Sequence, residues 1–207
     1  MSYCDWDKAS PLNIKYHDKE WGVPLHDDKG QFEFLMMEVM QCGLNWNMMI
    51  NKREIFRAAF DGFDFDKIAK YGAKDIERIM AIEGMIRSVR KIEAIINNAK
   101  CFQKVRNEFG SFDDYLWGYS GGKTILYDKH KKGYIPVSNG LSLKISKDLR
   151  KRGFKFLGPT TVYSHLQACG MINDHDENCA RFQYINDRYP TICKKRDQED
   201  GVQYFGK

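Results

Sequence analysis

Apolar positions along the chain recur at three- and four-residue spacing far more often than they alternate, so the pattern predicts helices. Phe32, Leu35, Met36, Val39 and Met40 form a stripe over 31–42 that Gly43 breaks, and a second helical run begins near Asn45. Asp64 ahead of Phe65-Asp66-Lys67-Ile68 has the form of a cap on a short helix that Gly72 ends. Residues 74–83 are helical up to Gly84, and the strongest amphipathic stripe runs over 87–109 through Val89, Ile92, Ile96 and Ala99. Ser111 is placed to cap another short helix. Residues 118–136 are turn-rich around a β-like Thr124-Ile125-Leu126-Tyr127, an excursion between helices rather than a linker. Helices follow over 138–152, from Pro159 to Gly170, and from Asp174 to Asp187. The expectation is an all-α fold, one domain over 1–190, with a loose charged tail over 191–207.

Composition narrows the function only a little. The 33 basic and 28 acidic residues leave a net charge of +5, which permits nucleic-acid binding without demanding it. No stretch reaches the roughly 18 uninterrupted apolar residues of a membrane-spanning helix. The opening Met1 to Lys8 has neither the basic start nor the apolar core of a secretory signal, so a cytoplasmic location is expected. Six scattered cysteines do not form a disulfide framework in that setting; they are buried thiols or metal ligands.

Four features carry candidate chemistry. Glu38 interrupts a segment rich in Phe, Met and Val, and is either on a solvated face or buried with a purpose. Because glutamate is mostly exposed, the pattern by itself favours the solvated face. Trp6, Tyr16, Trp21 and Trp46 crowd the first fifty residues; taken singly each is a core residue, but together with a carboxylate they suit a flat cationic ring. His175 and Cys179, four apart on an expected helix, add to Cys4 and His17 an acceptable tetrahedral metal set, though not at zinc-finger spacing. Two segments suit phosphate: the turn Glu83-Gly84-Met85-Ile86-Arg87 followed by Arg90 and Lys91, and the basic stretch from Lys144 to Lys155, which is equally a solvated helix face.

Taken together, Cys4-x-Trp6, Tyr16-His17-Asp18-x-Glu20-Trp21-Gly22-Val23-Pro24, Gly43-Leu44-x-Trp46 with Lys52-Arg53, Gly84-x-Ile86-Arg87, Gly153-Phe154-Lys155-Phe156, Gln167-Ala168-Cys169-Gly170 and Asn173-Asp174-His175 resemble the type I 3-methyladenine DNA glycosylases over roughly residues 1–180. The resemblance implies a helix-hairpin-helix fold that grips double-stranded alkylated DNA through the turn at Gly84 and Arg87. It implies a structural zinc on Cys4, His17, His175 and Cys179. It places Glu38 and Tyr16 against a flipped base, Trp46 stacked on it, Trp6 and Trp21 lining the pocket, and Gly43-Leu44 as a wedge in the duplex. Asn13 stands in the pocket set where the family usually has an aromatic, and Val39, Cys42 and Asn45 also depart from the family pattern.

The activity so implied is a monofunctional glycosylase that hydrolyses the N-glycosidic bond of 3-methyladenine, with no lysine in the pocket segments that suggests a Schiff base. A monomer is expected. The alternatives are a non-catalytic binder of alkylated DNA or methylated bases, and a zinc hydrolase using His17 and His175, which four-ligand coordination would eliminate. The closely spaced four-cysteine cluster of an iron–sulfur relative is absent.

Overall fold

The computed structural model describes Cys4, residues 10–128 and residues 136–195; Trp6 falls outside them. The chain divides into two compact units, one drawn from Met1–Leu25, Leu116–Ser146 and Gly158–Lys207, the other from His26–Tyr115 and Lys147–Leu157.

The second unit is built on two long helices, α2 (Asp28–Gln41) and α6 (Val89–Phe109), with α3 (Trp46–Ala59), α4 (Phe65–Ile68) and α5 (Ala73–Ala81) between them in sequence. Caps set the starts. Asp27, Asn45, Asp64 and Ser88 each turn a side-chain oxygen onto backbone amides of the first turn, which satisfies donors a helix leaves open. Every residue of α2 from Gln31 to Met40 is buried, so this helix runs inside the unit rather than along its surface. α6 packs on α2, α4 and α5. At its centre Phe102 stacks on Phe112 at 4.1 Å between ring centroids and meets Phe32 edge-on at 5.2 Å. Phe112 opens α7 (Phe112–Trp117) behind the expected Ser111, whose hydroxyl accepts from the Asp114 amide.

The first unit holds α1 (Pro11–Lys19), β1 (Thr124–Tyr127), α9 (Pro159–Ala168), α10 (Ala180–Arg188) and β2 (Thr191–Lys194), and α8 (Gly140–Lys151) begins in it. β1 and β2 pair in parallel, Thr124 opposite Thr191 and Tyr127 opposite Lys194. The all-α expectation is thus corrected to a mostly helical fold with one small sheet, and four residues assigned to the loose tail are its second strand. The last helix is also shorter than its pattern suggests. It starts at Ala180, not Asp174, because the polar side chains before it bond outward instead of continuing a helix. Asp174 accepts from the Tyr163 hydroxyl at 2.6 Å and from Gln167 at 2.9 Å, while Asn173 donates to the Phe182 carbonyl at 3.2 Å. Gly170 fixes this region onto the Trp21-Gly22-Val23-Pro24 motif: a Cβ there would lie 2.5 Å from Pro24 N, so only glycine fits.

Candidate functional site

Cys4, His17, His175 and Cys179 converge in the first unit, all buried, with their donor atoms within 4.8 Å of one another. His175 Nδ1 lies 3.2 Å from His17 Nε2, 3.7 Å from Cys4 Sγ and 4.0 Å from Cys179 Sγ; Cys179 Sγ lies 3.6 Å from His17 Nε2. The sequence placed His175 and Cys179 on a helix. The structure instead puts His175 in the irregular segment after Asn173 and makes Cys179 the residue capping α10. The convergence survives because α1 and the segment before α10 meet, not because of helical spacing. Each imidazole is oriented from behind: His17 Nδ1 by Asp18 at 2.8 Å, His175 Nε2 by the Trp21 carbonyl at 3.0 Å. Trp21 also meets the His175 ring edge-on at 4.6 Å. Burial and the neighbouring His17 ring push His175 down to about 3, so its imidazole stays neutral, the form that ligates a metal. Two thiols and two oriented imidazoles facing one buried point could hold a metal ion. Asp18 and the Trp21 carbonyl, which orient the two imidazoles, both belong to the Tyr16–Pro24 motif, whose sequence alone does not assign them that task.

On α1, Asn13, Tyr16 and His17 share the buried face, three and four residues apart. The Asn13 Oδ1 has no hydrogen-bond partner among the described residues.

In the second unit, α2 carries two buried carboxylates in different surroundings. Glu33 is neutralised by Arg53 at 2.6 Å and Arg57 at 2.7 Å. Glu38 is 5 % exposed, which overturns the solvated reading, and no ion pair or side-chain hydrogen bond reaches its carboxyl among the described residues. Burial alone pushes its pKa up to about 8. A carboxyl so placed is neutral until something cationic arrives.

α2 ends at Cys42, and the loop behind it presents Gly43 and Leu44 to solvent before Asn45 caps α3 and leaves Trp46 half-buried in its first turn. Asn45 makes that cap with its Oδ1, which accepts from the Asn47 amide at 2.7 Å. Val39 is fully buried in the core. The turn from α5 to α6 exposes Gly84 and Arg87, and Lys52 Nζ donates to the Gly84 carbonyl at 2.5 Å. Lys91, grouped by sequence with the phosphate-facing cations, is instead buried: its Nζ donates to the carbonyls of Met40 at 2.6 Å and Cys42 at 2.8 Å, closing the C-terminus of α2. Its apolar neighbours Ile92 and Ile95 were the available signal. The basic stretch from Lys144 to Lys155 is the solvated face of α8 and the loop after it.

A family model described as "Methyladenine glycosylase" matches residues 6–182. The chain is 41 % identical over 179 residues to DNA-3-methyladenine glycosylase 1 of Escherichia coli (strain K12), covering 86 % of this chain and 96 % of that protein. It is 40 % identical over 176 residues to DNA-3-methyladenine glycosylase of Haemophilus influenzae, covering 85 % and 95 %. Its structure resembles that of 3-methyladenine DNA glycosylase I from Staphylococcus aureus, solved to explain 3-methyladenine recognition, with a TM-score of 0.82, 36 % identity and coverage of 87 % and 96 %.

Proposed function

The chain belongs to the methyladenine glycosylase family, and from that premise we propose that it hydrolyses the N-glycosidic bond of 3-methyladenine in alkylated double-stranded DNA, recognising the base by its positive charge. The observation that carries the recognition step is Glu38, buried without a counter-cation on a helix whose other buried carboxylate is fully paired.

N3-methylation makes the adenine ring cationic and its glycosidic bond labile. The enzyme's task is to extract that nucleotide from the stack and prefer it to ordinary bases. A neutral base entering beside Glu38 leaves the carboxyl protonated and gains no charge attraction. A cationic base lets it ionise, and in a water-poor setting that attraction is far stronger than in solvent. Trp46 is assigned to stacking on the ring, and Tyr16, Trp21, Asn13 and Trp6 to contacts around it. As the bond breaks, its electron pair neutralises the ring, which leaves as 3-methyladenine. Positive charge passes to the sugar, where water adds at C1′ and gives up a proton to solvent. No general acid is needed, and the ionised Glu38 also stabilises the developing sugar cation electrostatically.

Leu44, with Gly43, is assigned to the space the flipped nucleotide vacates. The α5–turn–α6 segment is assigned as a helix-hairpin-helix, with Gly84 and Arg87 on the phosphate backbone. The four-residue Cys/His cluster is assigned to zinc. Two thiols and two neutral imidazoles are a donor set that would suit zinc, and four of their separations, 3.2, 3.6, 3.7 and 4.0 Å, leave them facing one point. Held by all four of these residues, the metal would have no open position for water and would supply structure rather than chemistry. The chain is assigned as a monomeric cytoplasmic enzyme; among the described residues no helix is long and apolar enough to cross a membrane.

The test is release of free base from methylated duplex DNA by wild type and Glu38→Gln. Wild type is expected to release 3-methyladenine and the variant to do so at least tenfold more slowly. Binding without release by wild type would replace catalysis with recognition alone, and full-rate release by Glu38→Gln would remove the carboxylate from the mechanism.

A further inference from the structure

The loop after α8 carries an aromatic, Phe156, in a strained backbone conformation. Among the described residues three non-glycine positions have positive φ: Asp61, Phe63 and Phe156. Phe63 is fully buried, and Asp61 accepts the Tyr71 hydroxyl, so both have a local packing reason. Phe156 has φ 60° and is 37 % exposed. A bulky L-residue is disfavoured in that conformation, so the surroundings must enforce it. They do. Asn98 grips Lys155 on both sides, accepting from its amide at 2.7 Å and donating to its carbonyl at 3.0 Å, and Asn97 donates to the Gly153 carbonyl at 2.8 Å. Phe154 and Leu157 on either side are buried anchors.

The displayed ring has a defined neighbour. The Phe156 carbonyl lies 3.9 Å from Cys42 Sγ, and Cys42 is the end of α2, two residues before Leu44, which is itself 37 % exposed. Two large apolar side chains therefore stand out from adjoining loops of one unit, with the exposed cations Arg150, Lys151 and Lys155 in the chain beside the second. An aromatic face flanked by cations matches a polyanion whose stacked bases offer π-faces, more than it matches an apolar protein surface.

We propose that Phe156 is a second DNA-contacting group, whose ring stacks on a base left without its neighbour when the damaged nucleotide leaves the helix, alongside the position entered by Leu44. The proposal rests on the glycosylase reading. Extruding a nucleotide exposes two base faces and interrupts stacking, and one aliphatic wedge covers less of that surface than a wedge and an aromatic together. The left-handed backbone at 156 then serves display: it points a ring outward where a relaxed residue would fold it down.

The experiment uses the full chain and a duplex containing a tetrahydrofuran abasic analogue, with affinity read by fluorescence anisotropy. Phe156→Ala is expected to weaken binding by about fivefold or more, the range of base–aromatic stacking, and Phe156→Trp to stay within about twofold of wild type. Phe156→Gly, which relaxes the positive φ as it removes the ring, is expected to weaken binding of the same duplex as much as Phe156→Ala does. Binding of free 3-methyladenine, followed by tryptophan fluorescence, is expected to be the same in all four proteins. Unchanged duplex affinity in Phe156→Ala or Phe156→Gly overturns the proposal while wild-type base release leaves the glycosylase reading standing. Failure of wild type to release base from methylated duplex would overturn both.

Discussion

At the residue scale the informative contrast is between Glu33 and Glu38, two buried carboxylates on one helix, of which only the first meets arginines. With its pKa pushed up to about 8, Glu38 enters the reaction mostly protonated at neutral pH. If the ionised form is the one that favours the cationic base, kcat/KM rises by about tenfold per pH unit toward pH 8 and then levels. An activity that falls through the same range would mean that the protonated carboxyl does the work. Stability runs the other way. A carboxyl with a raised pKa contributes stability that is full below its unfolded value of 4.5 and is lost as pH rises through about 8. Over that window Glu38→Gln gains on wild type by up to about 5 kcal/mol, measurable by urea unfolding at pH 5 and pH 9. None of this was legible in the pattern. Apolar neighbours at three- and four-residue spacing mark a helix face, but α2 is buried all around, so Glu38 had no solvated face to occupy.

At the scale of elements, helices with caps were the readable part. Asp64 and Ser111 sit where the polar residue before an apolar run predicts, because capping is a local bond between residues two or three apart. What the sequence concealed depends on distant partners. Thr191–Lys194 is a strand only because Thr124–Tyr127 lies beside it, and the 173–179 segment leaves helical geometry to bond Tyr163 and Gln167 and to bring His175 and Cys179 to His17. Lys91 belongs to the same class: its charge suggested a surface, and its function is to close α2. Lys91→Met removes two charge-assisted hydrogen bonds to otherwise open carbonyls and is expected to lower stability by about 2–3 kcal/mol in urea titration. Because the loop carrying Gly43 and Leu44 starts at those carbonyls, excision from duplex DNA should fall further than binding of free base. A change under 0.5 kcal/mol would mean that water replaces the ammonium and the closure is incidental.

For the molecule as a whole, the buried Cys/His cluster distinguishes the two units, since all four of its residues lie in the first and none in the second. It brings chain positions 4 and 17 to positions 175 and 179, so a zinc held there would tie the first stretch of that unit to its last. Such a tie acts only while the ligands are assembled, and its binding free energy is therefore folding free energy of the region it joins. Removing zinc with a chelator at neutral pH is expected to lower Tm and to release amide protection unevenly. The 173–179 segment and α10 should exchange faster by at least tenfold, while α2 and α6 hold their protection. Elemental analysis should give one zinc per chain in wild type and none in Cys179→Ser. The same variant separates structure from chemistry: at a temperature where it remains folded, it should excise 3-methyladenine at close to the wild-type rate, since a closed four-ligand site offers no water to the reaction. A folded, zinc-free Cys179→Ser protein that binds methylated duplex normally yet releases no base would instead give the metal a place in catalysis, and Glu38 would no longer account for it alone.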